Sequence, residues 1–178
     1  MSLQRNPDLR RLVLALVAAT LPGWSSALPE DDAQEILSSD YASMELALDE
    51  GELVQTAHPD RPTCITQGSR VICGAEIRIQ RAEDGSLRKI TSIGRPARFQ
   101  QQPAANQEIV HFSGQTLVFD NEARLLTIDV DAKFSQGKNE LSHQHIEYNL
   151  DTRRVSATGD EDALGSGRFT PPPPAEGN

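Results

Sequence analysis

A short phrase returns along this chain at a nearly fixed interval. Ile65-x-Gln67, Phe99-x-Gln101 and Phe134-x-Gln136 recur at spacings of 34 and 35 residues. The last two extend into longer matches, Ala97-Arg98-Phe99-Gln100-Gln101 against Ala132-Lys133-Phe134-Ser135-Gln136. Ten residues after Gln67 and Gln136 come Ile77-x-Ile79 and Ile146-x-Tyr148. The middle copy delivers Leu117-x-Phe119 later, after a polar insertion, Gln102-Pro103-Ala104-Ala105-Asn106. Each copy then turns, at Asp84-Gly85, Asp120-Asn121 or Asp151-Thr152. Self-similarity of this kind means that one supersecondary unit is added several times, each burying its face against its neighbours.

A period near 34 also suits pairs of helices, but the local spacing points elsewhere. Apolar residues alternate with polar ones along Val71, Cys73, Ala75, Ile77 and Ile79, and along Met44, Leu46 and Leu48. Alternation with a period of two, punctuated by Gly, Asp and Asn, marks half-buried strands. Residues 40–50 are rich in helix formers, yet the repeat context assigns them to a strand as well. The chain therefore reads as all-β, with consecutive short antiparallel strands and each repeat adding a pair.

Both ends differ from this pattern. Residues 12–21 are a continuous apolar run, half of the roughly 20 residues a membrane-crossing helix needs. A basic start (Arg5, Arg10, Arg11) precedes the run, and Ser25-Ser26-Ala27 follows it as a small-x-small cleavage pattern. Residues 1–27 are thus expected to be a secretory signal peptide, cleaved near Ala27. From Asp160 onward Gly, Ser, acids and Pro171–Pro174 dominate, a composition too poor in apolar surface to offset the entropy of ordering. Residues 160–178 are expected as a disordered tail, which leaves 28–159 as a single domain. About 34% of the residues from 28 onward are apolar, below the usual share, so its core is expected to be thin.

Charge is segregated along the chain. Residues 28–60 hold ten acids and no Lys or Arg, whereas residues 61–98 hold eight bases and three acids. From residue 28 onward the net charge is −11, which argues against a nucleic-acid partner, since such binding rests on Lys and Arg neutralising phosphates. No Gly-x-Ser-x-Gly elbow, phosphate-binding loop or dinucleotide fingerprint is present. His143, His145 and Glu147 are spaced to share one strand face and offer a metal-hydrolase alternative, but the same spacing suits a solvated polar face. No cofactor, metal or catalytic residue is expected.

Cys64 and Cys73 flank Gln67-Gly68-Ser69-Arg70. A two-residue Gly-first loop of type II′ at Gly68-Ser69 places the cysteines directly opposite one another, where Cα atoms approach to about 4.5 Å. Export makes a Cys64–Cys73 disulfide the expected state, with free buried thiols as the other reading. Strict alternation through Val71, Cys73 and Ile77 turns Cys73 inward and leaves Ile65 and Ile72 on the opposite face. Either both faces are buried locally or a bulge intervenes near Gly74.

The Thr66-Gln67-Gly68 turn, the segment Gly94, Pro96, Ala97, Phe99, Gln101, and the segment Ile146, Tyr148, Leu150, Asp151 together resemble the LptA/OstA-like family of periplasmic lipopolysaccharide-transport bridge proteins. Similarity runs from about Ser38 to Gly159. Two departures stand out: Gly74-Ala75-Glu76 lies one residue later than the family's usual Ala-Asp, and the cysteine pair is not part of the general pattern. The resemblance implies a twisted, open-ended antiparallel β-jellyroll whose two sheets enclose an apolar groove. It implies a periplasmic, non-enzymatic carrier that conveys lipopolysaccharide from inner to outer membrane. The implied partners are LptC-like and LptD-like jellyroll domains, with head-to-tail homo-oligomers formed by strand addition. By position, it assigns Phe99, Leu117, Phe119, Phe134, Ile146 and Tyr148 to the groove. A related adaptor that holds no lipid itself is the alternative within the same fold.

Overall fold

A computed structural model describes residues 31–170. The expected signal peptide and its cleavage point lie outside these residues, as does the Pro171–Pro174 run. A 3-10 turn at Asp31–Ala33 precedes twelve strands: β1 (Ile36–Ser39), β2 (Tyr41–Ala47), β3 (Glu52–Ala57), β4 (Thr63–Gln67), β5 (Arg70–Gly74), β6 (Glu76–Arg81), β7 (Leu87–Gln101), β8 (Val110–Asp120), β9 (Leu125–Gln136), β10 (Asn139–Asn149), β11 (Arg154–Thr158) and β12 (Ser166–Arg168). All pairings are antiparallel. The hydrogen-bonded order is β1-β4-β5-β7-β8-β9-β10-β11, with a branch β2-β3-β6 joining β7 and with β12 on β10.

The four long strands make two layers out of this one network. β7 pairs with β6 along its first half (Ile79↔Ile90) and with β5 along its second (Ile72↔Phe99). Its register slips between Ile93 and Ala97, that of β8 between Ser113 and Thr116, and that of β10 between His143 and His145. In β9 the bend is carried by Val130 and Asp131, both in the left-handed region at φ 61° and 58°. Extra residues at such points bend a strand and re-aim its side chains. In β8 the inward set is Val110, Phe112 and Gly114 before the slip and Leu117 and Phe119 after it. The slip thereby keeps an apolar face inward in both layers. Gly114 is required there, because a Cβ would lie 2.4 Å from Ile128 Cγ2 and 3.0 Å from the Asp129 carbonyl oxygen.

The repeat seen in the sequence is the strand pair. Gln67, Gln101 and Gln136 end β4, β7 and β9 and stand opposite the first residue of the next strand in the pair, Arg70, Val110 and Asn139. The polar insertion lengthens only the middle connection.

The Cys64–Cys73 disulfide is present, with the two cysteines in register and Cα atoms 4.1 Å apart. Gly68 has φ 59° while Ser69 keeps a negative φ, as a type II′ loop requires. Of the two alternatives for the cysteine face, the structure has the break near Gly74. Ile65 and Ile72 are buried, and Cys64, Val71 and Cys73 lie on the outer face. The phase reverses at Ala75, which sits between β5 and β6, so Ile77 and Ile79 return inward. Strict alternation cannot be carried across such a break.

The boundary at 159/160 is corrected for the described part of the expected tail. Ser166–Arg168 fold back as β12 and pair with Glu140–Ser142. The backbone supplies that pairing without apolar side chains, which is why composition did not show it.

Candidate functional site

The two layers face each other across one apolar interior. Phe99, Phe112 and Phe134 come from the β5 side, and Leu117, Phe119, Ile146 and Tyr148 from the β6 side. Contacts cross between the layers: Phe99 stacks with Phe119 at 6.4 Å between ring centroids, and Phe112 lies 5.1 Å from Tyr148. All six residues assigned to a groove fall in this one cluster, and even the most open, Phe134, is only 8% exposed. Burial of large apolar side chains at about 1.5–3 kcal/mol each makes this cluster the main source of stability.

Phe112 was missed in the sequence although it is central, with Phe99 at 6.0 Å and Phe134 at 5.1 Å. The polar insertion ahead of it breaks the repeat, and only the local Val110-x-Phe112 alternation marks it.

At one opening of the interior stands a charged group that hydrophobic patterning does not reveal. Arg70 starts β5 on its inward face, is 2% exposed, and places its guanidinium carbon 4.1 Å over the Phe119 ring. Arg70 Nη1 donates to Gln67 Oε1 at 2.8 Å, and Nη2 donates to Asp32 Oδ1 at 3.0 Å. Arg124 donates to the other Asp32 oxygen at 2.5 Å and to Asp151 at 3.1 Å. Burial raises the Asp32 carboxyl, but the two guanidiniums outweigh it and hold the group below its ordinary value. A cavity of about 390 Å³ opens here between Arg70, Arg124, Arg153, Tyr148 and Leu150. A second, of about 300 Å³, lies against Val110, Phe134, Tyr148 and Val155. The insertion roofs both, with Pro103 common to the two cavities and its carbonyl accepting from Arg153 at 3.2 Å.

A concavity of about 800 Å³ lies along the layer that contains β5 and β12. Basic and polar side chains line it, among them Arg98, Lys133, Arg168 and His111, together with Val71, Leu141 and three members of the apolar cluster, Phe99, Phe112 and Phe134. The histidines do not form the shared face expected from their spacing, because the strand slips between His143 and His145. His145 Nδ1 lies 2.6 Å from Asp129 Oδ1, and Nε2 lies 3.5 Å from Glu147. The Asp129 hydrogen bond, joined by Glu147, raises the His145 pKa above 6.5. Among the described residues, no group of three or more His, Cys, Asp or Glu is arranged to hold a metal.

These features define a class: an open-ended antiparallel jellyroll with an apolar interior and, among the described residues, edge strands paired on one side only. A family model described as LptA/(LptD N-terminal domain) LPS transport protein matches residues 64–154. The chain is 30% identical over 148 residues to the lipopolysaccharide export system protein LptH of Pseudomonas aeruginosa, covering 82% of this chain and 81% of that protein. It therefore belongs to the LptA/LptD N-terminal family. The crystal structure of LptH, described as the periplasmic LptA homologue of the lipopolysaccharide transport device in that organism, superposes with a TM-score of 0.71. That match covers 80% of this chain and all of the other at 23% identity, and it shows the same fold. The chain is thus a homologue of a lipopolysaccharide export component.

Proposed function

We propose that this protein is an exported, periplasmic carrier of lipopolysaccharide, holding acyl chains in the interior between its two layers. The observation that carries the reading is the continuous apolar cluster, with Tyr148 and Phe134 bordering cavities that open at the seam. One acyl chain of about 12 carbons gains roughly 10 kcal/mol from staying out of water, at about 0.8 kcal/mol per CH₂. An apolar interior supplies that shelter across an aqueous space. Phe99, Leu117, Phe119, Phe134, Ile146 and Tyr148 are the proposed lining.

Transfer along a chain of such domains follows from the edges. The β5–β12 layer ends in β1 and β12, and the other layer ends in β2 and β11, each paired on one side only. Free backbone donors and acceptors on such edges recruit another strand. We assign these edges to head-to-tail joining with further copies and with LptC-like and LptD-like jellyroll domains. The tight packing of the six lining residues favours the second reading, an adaptor that holds no lipid.

A photo-crosslinkable residue at Phe119 separates the two readings. The carrier is expected to give lipopolysaccharide adducts there and at Phe99. Absence of adducts at both positions, in protein that still joins its partners, removes the carrier.

A further inference from the structure

We propose that the arginine-lined mouth above Phe119 is a receptor for the phosphate of an amphiphile whose chains enter the interior, and that Asp31 and Asp32 occupy this receptor in the free protein. The inference rests on the carrier reading and adds to it a headgroup subsite and an internal competitor.

Two carboxylates in adjacent positions gather five donors. Asp31 accepts from the Ser69 N–H at 2.6 Å, the Ser69 hydroxyl at 2.9 Å and Gln101 Nε2 at 2.6 Å. Asp32 accepts from Arg70 and Arg124. A guanidinium pair on one carboxylate, and a backbone N–H, hydroxyl and amide on its neighbour, make two adjoining donor sets, and the arginine forks of the first are especially well shaped for phosphate. Arg70 is 2% exposed and its Nε has no hydrogen-bond partner, so a buried donor at the mouth remains unused. Leaving such a group unsatisfied is costly, and a ligand with more acceptor oxygens than a carboxylate relieves that cost. Arg153 borders the same cavity and donates to the Pro103 carbonyl.

Depth gives the site its chemistry. The Arg70 guanidinium lies directly on the Phe119 ring, so an anion bound to it sits where a polar headgroup meets apolar chains. A free anion gains nothing from that adjacency; a phosphorylated acyl chain does. The occupant is also built to leave. None of the three residues in the Asp31–Ala33 turn is buried, and β1 pairs with β4 only from Ile36 onward. Lifting the turn therefore uncovers little apolar surface and breaks no strand pairing. The acidic run at residues 28–60 acquires a purpose here, as its Asp31 and Asp32 stand in for the ligand's charge.

Calorimetric titration of the full chain tests this with dodecyl phosphate, dodecyl maltoside and inorganic phosphate, both detergents below their micelle concentrations. Wild type is expected to bind dodecyl phosphate about tenfold more tightly than dodecyl maltoside. Asp31→Asn/Asp32→Asn raises dodecyl phosphate affinity about tenfold further and leaves dodecyl maltoside within about twofold. Arg124→Gln abolishes the preference for phosphate. Inorganic phosphate is expected to bind at least about a hundredfold more weakly than dodecyl phosphate. Equal binding of the two detergents in all three proteins overturns the receptor and leaves the carrier standing. No binding of either overturns both. Inorganic phosphate binding as tightly as dodecyl phosphate overturns the headgroup assignment. If the double variant fails to fold, Arg124→Gln decides alone, and an intact phosphate preference in it overturns the receptor.

Discussion

The long strands β7–β10 and the strand β2 are built from the same alternating pattern, yet they reach opposite outcomes. Along β7–β10 the inward residues lose essentially all contact with water. In β2, Tyr41, Met44 and Leu46 stay exposed, and Leu48 just beyond is 78% exposed. Each long strand has neighbours on both sides and a bend that places it in both layers. Among the described residues β2 pairs with β3 alone. Alternation marks a face that can be covered, and neighbours decide whether it is. In the carrier reading, the uncovered face at β2 is where another domain adds.

Four measurements break or sharpen this contrast. Phe112→Ala, at the centre of the long strands, is expected to cost about 3–5 kcal/mol in denaturant unfolding, the range for removing a buried aromatic ring. A loss below about 1 kcal/mol would mean that the interior is loosely packed.

Replacing both Cys64 and Cys73 by Ser is expected to lower stability by about 2–3 kcal/mol, as a short closed loop predicts. The bond pins β4 to β5 beside β1 and lies on the outer face, so the interior and its ligand binding should be unchanged.

His145 gives a smaller, pH-dependent effect. Its folded pKa is raised by Asp129 and Glu147, so its stabilising contribution is complete below its unfolded value near 6.5. That contribution is lost as pH rises through the raised folded value. The stability gap between wild type and His145→Gln should be widest below about pH 6.5 and shrink as pH rises through the raised folded value. A gap that widens with pH contradicts the pairing.

Leu46→Lys should be the mildest for the single domain, within about 0.5 kcal/mol. If copies add at this edge as proposed, sedimentation should show weaker self-association for the variant than for wild type. A large loss of monomer stability would show that β2 is covered after all.

Much of this fold was legible in the residues. The Gln67, Gln101 and Gln136 echoes mark the ends of repeated strands, and Gly68-Ser69 sets the hairpin register that brings Cys64 opposite Cys73. The six lining candidates lie together because each follows a local alternation within one half-strand. Alternation loses its phase at bends, as at Gly74–Ala75 and between His143 and His145, and no local period shows which way it resumes. Arg70 was invisible as an interior group because its burial depends on Asp32, 38 residues earlier, and on the Phe119 face beneath it.

The sequence by itself determined the strand class, the repeated unit, the turn chemistry and the cysteine register. All of these depend on residues close together or on a local period of two. Tertiary structure alone decided which alternating faces became interior and which remained open. It also decided that a buried arginine and two aspartates would meet at the mouth. Those outcomes depend on bends that shift the phase by a residue and on contacts between layers, and neither leaves a local signature.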